Sequence, residues 1–363
     1  MVVVLVVVGI VSVTGGGSGD ESEISDTRVG AVLPVTGPGA FFGEQLRNGM
    51  KLANQEVGHN LYIEDSETDP STGVSAFQNL NSQHGLDIGV VAFSSVANAV
   101  LPKAEESGVP TIHTVVSASK VAAKSPQSFR YFTSGEQESP IIAEFAHNQL
   151  DIDTAGIIYP ESEYGQSYQK AFQDSFTSMG GEVVVSESFP SRANDFRTQL
   201  TRIRSANPDA VLVVGLNKQL VTMLKQIEEM NINSTVLTNW ILASPSVQDE
   251  VGDSDEGVYF TTPSYYLSSD DQTEESKGFR EQYRKKYDDN PSAYAAIGFD
   301  IVKLIERARE RQVQKSPNGL TDALRNIKNF EAVMGELQVD SEGEITFPLY
   351  PAVIEDQSVK RVE

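Results

Sequence analysis

Two short polar stretches carry residue types that can hold an anion. Phe93-Ser94-Ser95 follows one apolar run, and Val115-Val116-Ser117-Ala118-Ser119 follows the next. Serine hydroxyls and the N–H groups at a helix start bind carboxylates well, because that end of a helix carries about half a positive charge. Taken alone, Ser94 or Ser95 would more simply cap the helix that follows. Two such loops at the ends of adjacent strands can grip one carboxylate between them. A third loop, Thr36-Gly37-Pro38-Gly39-Ala40-Phe41-Phe42-Gly43, is rich in glycine. Its G-x-G-x-x-x-G spacing, with a proline inside, misses the dinucleotide fingerprint, so it reads as a turn that lets backbone approach a ligand.

Reactive chemistry finds little support. His59, His84, His113 and His147 are isolated and lack zinc-ligand spacing, and neither G-x-S-x-G nor G-x-x-x-x-G-K-[ST] occurs. The expectation is therefore no enzyme, no metal and no cofactor. Acidic pairs such as Glu105-Glu106 and Asp288-Asp289 read as solvated surface.

The elements that must position these loops alternate. Runs at Val29–Leu33, Leu61–Asp65, Ile88–Ala92 and Val109–His113 have strand character, and Gly43–Val57, Ser71–Gln83 and Val96–Glu106 between them have helical stripes. The order restarts with a helix at Ile141–Leu150. It continues through strands at Thr154–Tyr159, Gly181–Glu187, Ala210–Val214, Thr235–Leu237 and Val258–Thr261, with helices at Gln166–Met179, Asp195–Ser205 and Lys218–Met230. Such alternation forces parallel pairing with crossover helices on both faces, giving two doubly wound α/β units. Helices at Glu274–Tyr287, Ser292–Arg311 and Leu320–Ile327 exceed what the second unit needs, so some should return to the first. Short strands near Met334–Val339 and Ile345–Phe347 and a tail at Tyr350–Ile354 complete the chain.

Length agrees, since 363 residues suit two lobes of about 150 residues each. The 51 Asp+Glu against 28 Lys+Arg give a formal net charge of -23, which disfavours nucleic acid as a partner because no basic face would neutralise phosphates. Acidity spread along the chain suits a protein kept dispersed in concentrated salt, and a halophilic origin is the expectation. With no cysteine, disulfides, thiolate metal sites and a lipid-modified cysteine are excluded. Val2–Val13 is almost wholly apolar and is followed by Gly15-Gly16-Gly17-Ser18. It is too short to span a bilayer but fits a signal-peptide core, so 1–27 is expected to be a signal-like segment and acidic tether, on an exported chain for which tethering to the membrane through the N-terminus is one expectation.

From Arg28 to about Glu355 the chain resembles the type I periplasmic binding proteins of the branched-chain amino acid group of ABC importers. The matching pieces are Val32-Leu33-Pro34-Val35-Thr36-Gly37-Pro38 with Gly43, Asp65 to Pro70, Phe93-Ser94-Ser95, Tyr159 to Gly165, Asp195-Phe196 to Asp209, and Ala293 to Ile301. The resemblance implies two Rossmann-like lobes joined by a three-crossover hinge, with a ligand shut between them. Crossovers are expected near Thr133–Glu136, Thr261–Ser264 and Met334–Gln338. That divides the chain into 28–133 plus 262–334 for the N-terminal lobe and 134–261 plus 335–363 for the C-terminal lobe. Ligand-binding positions implied are Phe42, Ser94, Ser95, Val115 through its carbonyl, Ser117, Tyr164, Leu216 and Trp240. Two of these depart from the family: Leu216 stands where an aromatic is usual, and Trp240 where a glutamate pairs with the ligand ammonium. Trp240 and Tyr164 could offer ring faces to a cation instead, or the ligand carries no amino group. The implied function is extracytoplasmic capture of an amino acid or related carboxylate, by a monomer that partners ABC permease subunits. A ligand-sensing module of the same fold, passing closure to a separate signalling partner, is the alternative.

Overall fold

The computed structural model describes residues 27–116, 121–268, 270–312 and 319–362. The segment expected to be signal-like lies outside them, except for Thr27. The first half runs β1 (Arg28–Leu33), α1 (Ala40–Val57), β2 (Asn60–Asp65), α2 (Pro70–His84), β3 (Ile88–Ala92), α3 (Ser94–Ser107), β4 (Thr111–Thr114) and β5 (Ser128–Tyr131). These strands form one parallel sheet in the order β2-β1-β3-β4-β5. Every residue of β3 is buried, as an apolar strand covered by helices on both faces requires. Helix α2 starts where it does because Pro70 pre-sets its first turn and the Asp69 carboxylate accepts the Thr72 N–H at 2.8 Å.

The second half runs α4 (Gly135–Gln149), β6 (Thr154–Pro160), α5 (Glu163–Ser178), β7 (Glu182–Phe189), α6 (Arg197–Ala206), β8 (Ala210–Val213), α7 (Asn217–Glu229), β9 (Thr235–Thr238), α8 (Pro245–Val251) and β10 (Tyr259–Pro263). After these come α9 (Glu274–Tyr287), α10 (Ala293–Arg311), α11 (Gly319–Arg325), β11 (Phe330–Ala332), β12 (Gly335–Val339), β13 (Ile345–Thr346), β14 (Leu349–Glu355) and β15 (Ser358–Arg361). The second sheet has the order β15-β14-β10-β9-β8-β6-β7, parallel from β10 to β7, with an antiparallel hairpin β14-β15 at its edge. A small antiparallel sheet joins β11, β12 and β13. Among the described residues no helix is long and apolar enough to cross a membrane.

Several boundaries move from the sequence expectation. Strand β5 escapes a polarity reading because Arg130, only 2% exposed, lies within it. Its guanidinium is held by Glu344 and by the Val116 carbonyl at 3.1 Å. Helix α6 opens at Arg197 rather than at Asp195, whose carboxylate instead accepts the Gln226 side-chain amide at 2.9 Å. Helix α4 opens at Gly135 rather than Ile141, because the Gln137 side chain accepts the Ser134 N–H at 3.1 Å and closes the first turn.

The late helices belong to the core of the first sheet. Tyr294, Ile297, Ile301 and Ile305 of α10 pack there with Leu46, Met50 and Ala53 of α1. Contact is close enough that a Cβ on Gly49 would sit 1.8 Å from the Ala295 carbonyl oxygen, and one on Gly298 2.3 Å from that of Leu46. Leu337, Val339 and Ile345 are buried in this same core. The crossover expected at Met334–Gln338 therefore falls later, between Thr346 and Leu349, and 335–346 sit with the first sheet rather than the second. Asp300 pins the return. Its carboxylate, 1% exposed, accepts the N–H groups of Val333 at 2.8 Å and Met334 at 3.0 Å and the Tyr131 hydroxyl at 2.8 Å.

Two outcomes follow for stability. Gly49→Ala should lose roughly 3 kcal/mol in urea denaturation through overpacking, although helix propensity alone would favour alanine by about 1 kcal/mol. Burial pushes the Asp300 carboxyl up to about 7, above its unfolded value. Its contribution is thus complete below about pH 4 and is lost as pH rises to neutrality. Asp300→Asn should flatten the stability profile across that interval relative to the parent chain.

Candidate ligand cleft and hinge

In open parallel sheets ligands sit beyond the carboxyl ends of the strands, near the point where strand order reverses. In the first sheet that point lies between β1 and β3, where the first turn of α1, bearing Phe42, and the start of α3 emerge. Helix α3 begins at Ser94 with Phe93 in the cap position and no side-chain cap. The simpler role for Ser94 and Ser95, capping, is therefore not taken up; Ser94 is half-buried and Ser95 exposed.

The backbone here is strained. Phe93 has φ 74° and Val115, at the end of the adjacent strand, φ 51°. A β-branched residue with positive φ is an outlier, and such strain persists only where the surroundings impose it, commonly at ligand clamps. The two ends are tied, with Phe93 N–H donating to the Thr114 carbonyl at 3.1 Å. Ser117 lies outside the described residues.

An aromatic block backs these strand ends. Phe42 meets Phe93 edge-on at 5.6 Å and Tyr294 at 4.8 Å. Tyr294 in turn meets Trp240 at 5.7 Å, and Trp240 meets Phe132 at 5.9 Å and stacks on Tyr266 at 6.2 Å. Phe42 and Trp240 are thus joined through Tyr294. Trp240 is only 2% exposed, so the free ring face anticipated for a cation is taken up by packing. The tryptophan follows β9 of the second sheet yet belongs to the first core, which makes it a wedge between the halves. Its neighbour Asn239 donates to the Tyr164 hydroxyl at 2.6 Å, and Tyr164 packs on Tyr168 at 4.9 Å. Leu216 stands apart, 50% exposed at the start of α7.

Sequence reasoning missed Glu138, which lies at the centre of the hinge and is 1% exposed. One oxygen accepts the Tyr168 hydroxyl and the other the Thr261 hydroxyl at 2.7 Å. The Thr133 hydroxyl and the backbone N–H of Trp240 also bond to this carboxylate. Thr133 further accepts the Trp240 indole N–H at 2.8 Å. Burial raises the Glu138 pKa and these donors pull it back; burial also raises Tyr164 and Tyr168, reinforced by the Glu138 charge. In sequence Glu138 is one acid in the run Glu136-Gln137-Glu138, with nothing to separate it from surface charge. Thr133 and Thr261 fell within expected crossovers, and Tyr294 within a quoted motif. No group of three or more His, Cys, Asp or Glu side chains able to hold a metal occurs among the described residues.

The family described as periplasmic binding protein matches residues 26–358. A Leu/Ile/Val-binding protein homolog from Brucella suis is 22% identical over 349 residues, covering 91% of this chain and 90% of the relative. The crystal structure of a leucine binding protein from Thermotoga maritima superposes with TM-score 0.80 at 22% identity, covering 93% of this chain and 98% of the other. A solute binding protein of an ABC transporter from Rhodopseudomonas palustris, in complex with 3,4-dihydroxy benzoic acid, superposes with TM-score 0.79 at 23% identity, covering 92% and 95%.

Glu138→Ala would leave four buried donors short of an acceptor, and should cost roughly 3 kcal/mol in chemical denaturation. It should also shift the emission of the single tryptophan to longer wavelength. Glu138→Gln, which keeps one acceptor oxygen, should fall between alanine and the parent in both measurements.

Proposed function

Since this chain belongs to the periplasmic binding protein family, we propose that it is the extracytoplasmic solute-binding component of an ABC importer, closing two lobes around a small carboxylate. The observation that carries the reading is the pair of strained strand ends at Phe93 and Val115, next to the first-turn N–H groups of α3 and the Ser94 hydroxyl. Those donors suit an anionic head. Phe42, with Ser95 and the Val115 carbonyl, completes the wall on that side, and Ser117 is included from its place in the sequence. Tyr164 and Leu216 are read as contacts from the opposite lobe, and Trp240 as the wall between them.

Mechanistically, the two lobes rotate about the three connections, and a ligand touching both favours the closed form by its differential affinity. The closed form is what membrane permease subunits would recognise, and the chain is read as acting as a monomer without any reaction of its own. Import is preferred to sensing because a structural neighbour is a solute binding protein of an ABC transporter. Names among the relatives include leucine, isoleucine and valine, so amino acids belong in any screen beside simple carboxylates.

The test is calorimetric titration in high salt with benzoate, 4-methylpentanoate and leucine, alongside Trp240 emission. At least one should bind, and Ser94→Ala should weaken it about tenfold, the loss of one hydrogen bond to a charged group. Unchanged affinity in that variant would remove the β3 end from the site.

A further inference from the structure

We infer that Asn239 is a positioning residue, which fixes the Tyr164 hydroxyl as a hydrogen-bond donor toward the gap between the two sheets, where it meets an acceptor oxygen of the ligand. The inference rests on the cleft reading above and goes further by giving one wall of the cleft a set polarity.

A tyrosine hydroxyl can donate or accept, and its fixed neighbours decide which. The Asn239 side-chain oxygen accepts the Ile241 N–H at 3.2 Å and caps the turn Trp240–Ala243. Its nitrogen is thereby the atom left to face Tyr164, and it donates to the hydroxyl oxygen at 2.6 Å. Asn239 is buried, so water does not compete for that bond. The Tyr164 hydroxyl makes no other hydrogen bond among the described residues, and its own proton is left over. Burial raises its pKa, reinforced by the Glu138 charge and the Tyr294 hydroxyl, so the proton is retained. Glu138 is not its acceptor, since that carboxylate takes the hydroxyls of Tyr168 and Thr261.

The place suits a ligand contact. In the second sheet the strand order reverses at β6, which lies between β7 and β8, and the crevice at such a point is where parallel sheets take ligands. Tyr164 lies in the first turn of α5, the helix that leaves β6. Asn239 directly follows β9, so the bond reaches past the end of β8, which lies between the two strands. From the first lobe, Tyr294 of α10 comes close enough for its hydroxyl to act on that of Tyr164. The Tyr294 side chain is only 4% exposed, and its hydroxyl likewise makes no hydrogen bond among the described residues. Two phenols with unused hydrogen-bonding capacity, one from each lobe, thus meet at the same gap.

A double-mutant cycle in high salt tests the inference, with calorimetric affinities for benzoate, 4-methylpentanoate and leucine. Tyr164→Phe should weaken the best-bound of the three about tenfold, as loss of one hydrogen bond to a charged group does. Asn239→Asp keeps the cap but replaces the donor by an acceptor, which captures the tyrosine proton. Its cost in affinity should be about tenfold greater with Tyr164 present than in the Tyr164→Phe background. Repulsion between the new carboxylate and an anionic ligand acts in both backgrounds, and the cycle subtracts it. Asn239→Ser, which caps the turn without reaching Tyr164, should weaken binding about threefold, and only while Tyr164 is present. Equal losses in both backgrounds for whichever Asn239 variant folds, or unaltered affinity in Tyr164→Phe, would overturn the inference and leave the cleft reading intact. No binding of any of the three compounds by the parent chain would overturn both.

Discussion

A carboxylate in a protein interior must collect donors or give up its charge. Glu138 collects them from four separate places: the connection after β5, the connection at β10, helix α5 and the loop after β9. Those places include two of the three passages between the sheets. The position of Trp240 depends on the same node, since its backbone and, through Thr133, its indole are both anchored there. A buried acid thereby sets where Trp240 packs between the two sheets.

The first lobe is built to tolerate little movement. Helices α1 and α10 touch backbone to backbone at Gly49 and Gly298, and Asp300 fastens the returning chain to Tyr131 of β5. Close-packed contacts of this kind have few alternative arrangements. Rigid-body closure of hinged lobes requires such stiff units on either side of the connections.

Positive φ at Phe93 and Val115 strains the ends of β3 and β4, and Phe42, Tyr294 and Trp240 pack as an aromatic block beside them. Strain at the turns is a cost that the surrounding sheet has to offset. The interlocked rings offset part of it, since edge-on aromatic pairs add to their burial energy.

Much was legible in the residues themselves. Alternation of β-rich runs with helical stripes determined a two-unit parallel α/β architecture, because strand and helix periods differ and parallel pairing needs crossovers. The stretch Phe93-Ser94-Ser95 was legible as a strand end leading into a helix, and the serines themselves open α3. Strand β5 was hidden because a buried Arg130 looks like surface until Glu344 arrives from far along the chain. The third crossover was misplaced because Leu337, Val339 and Ile345 show apolar alternation without saying which sheet they will cover. Glu138 and Trp240 were decided by tertiary structure alone. Whether an acid is solvated or clamped, and whether an indole is a free face or a wedge, depends on groups brought together from distant positions, and no local period records that.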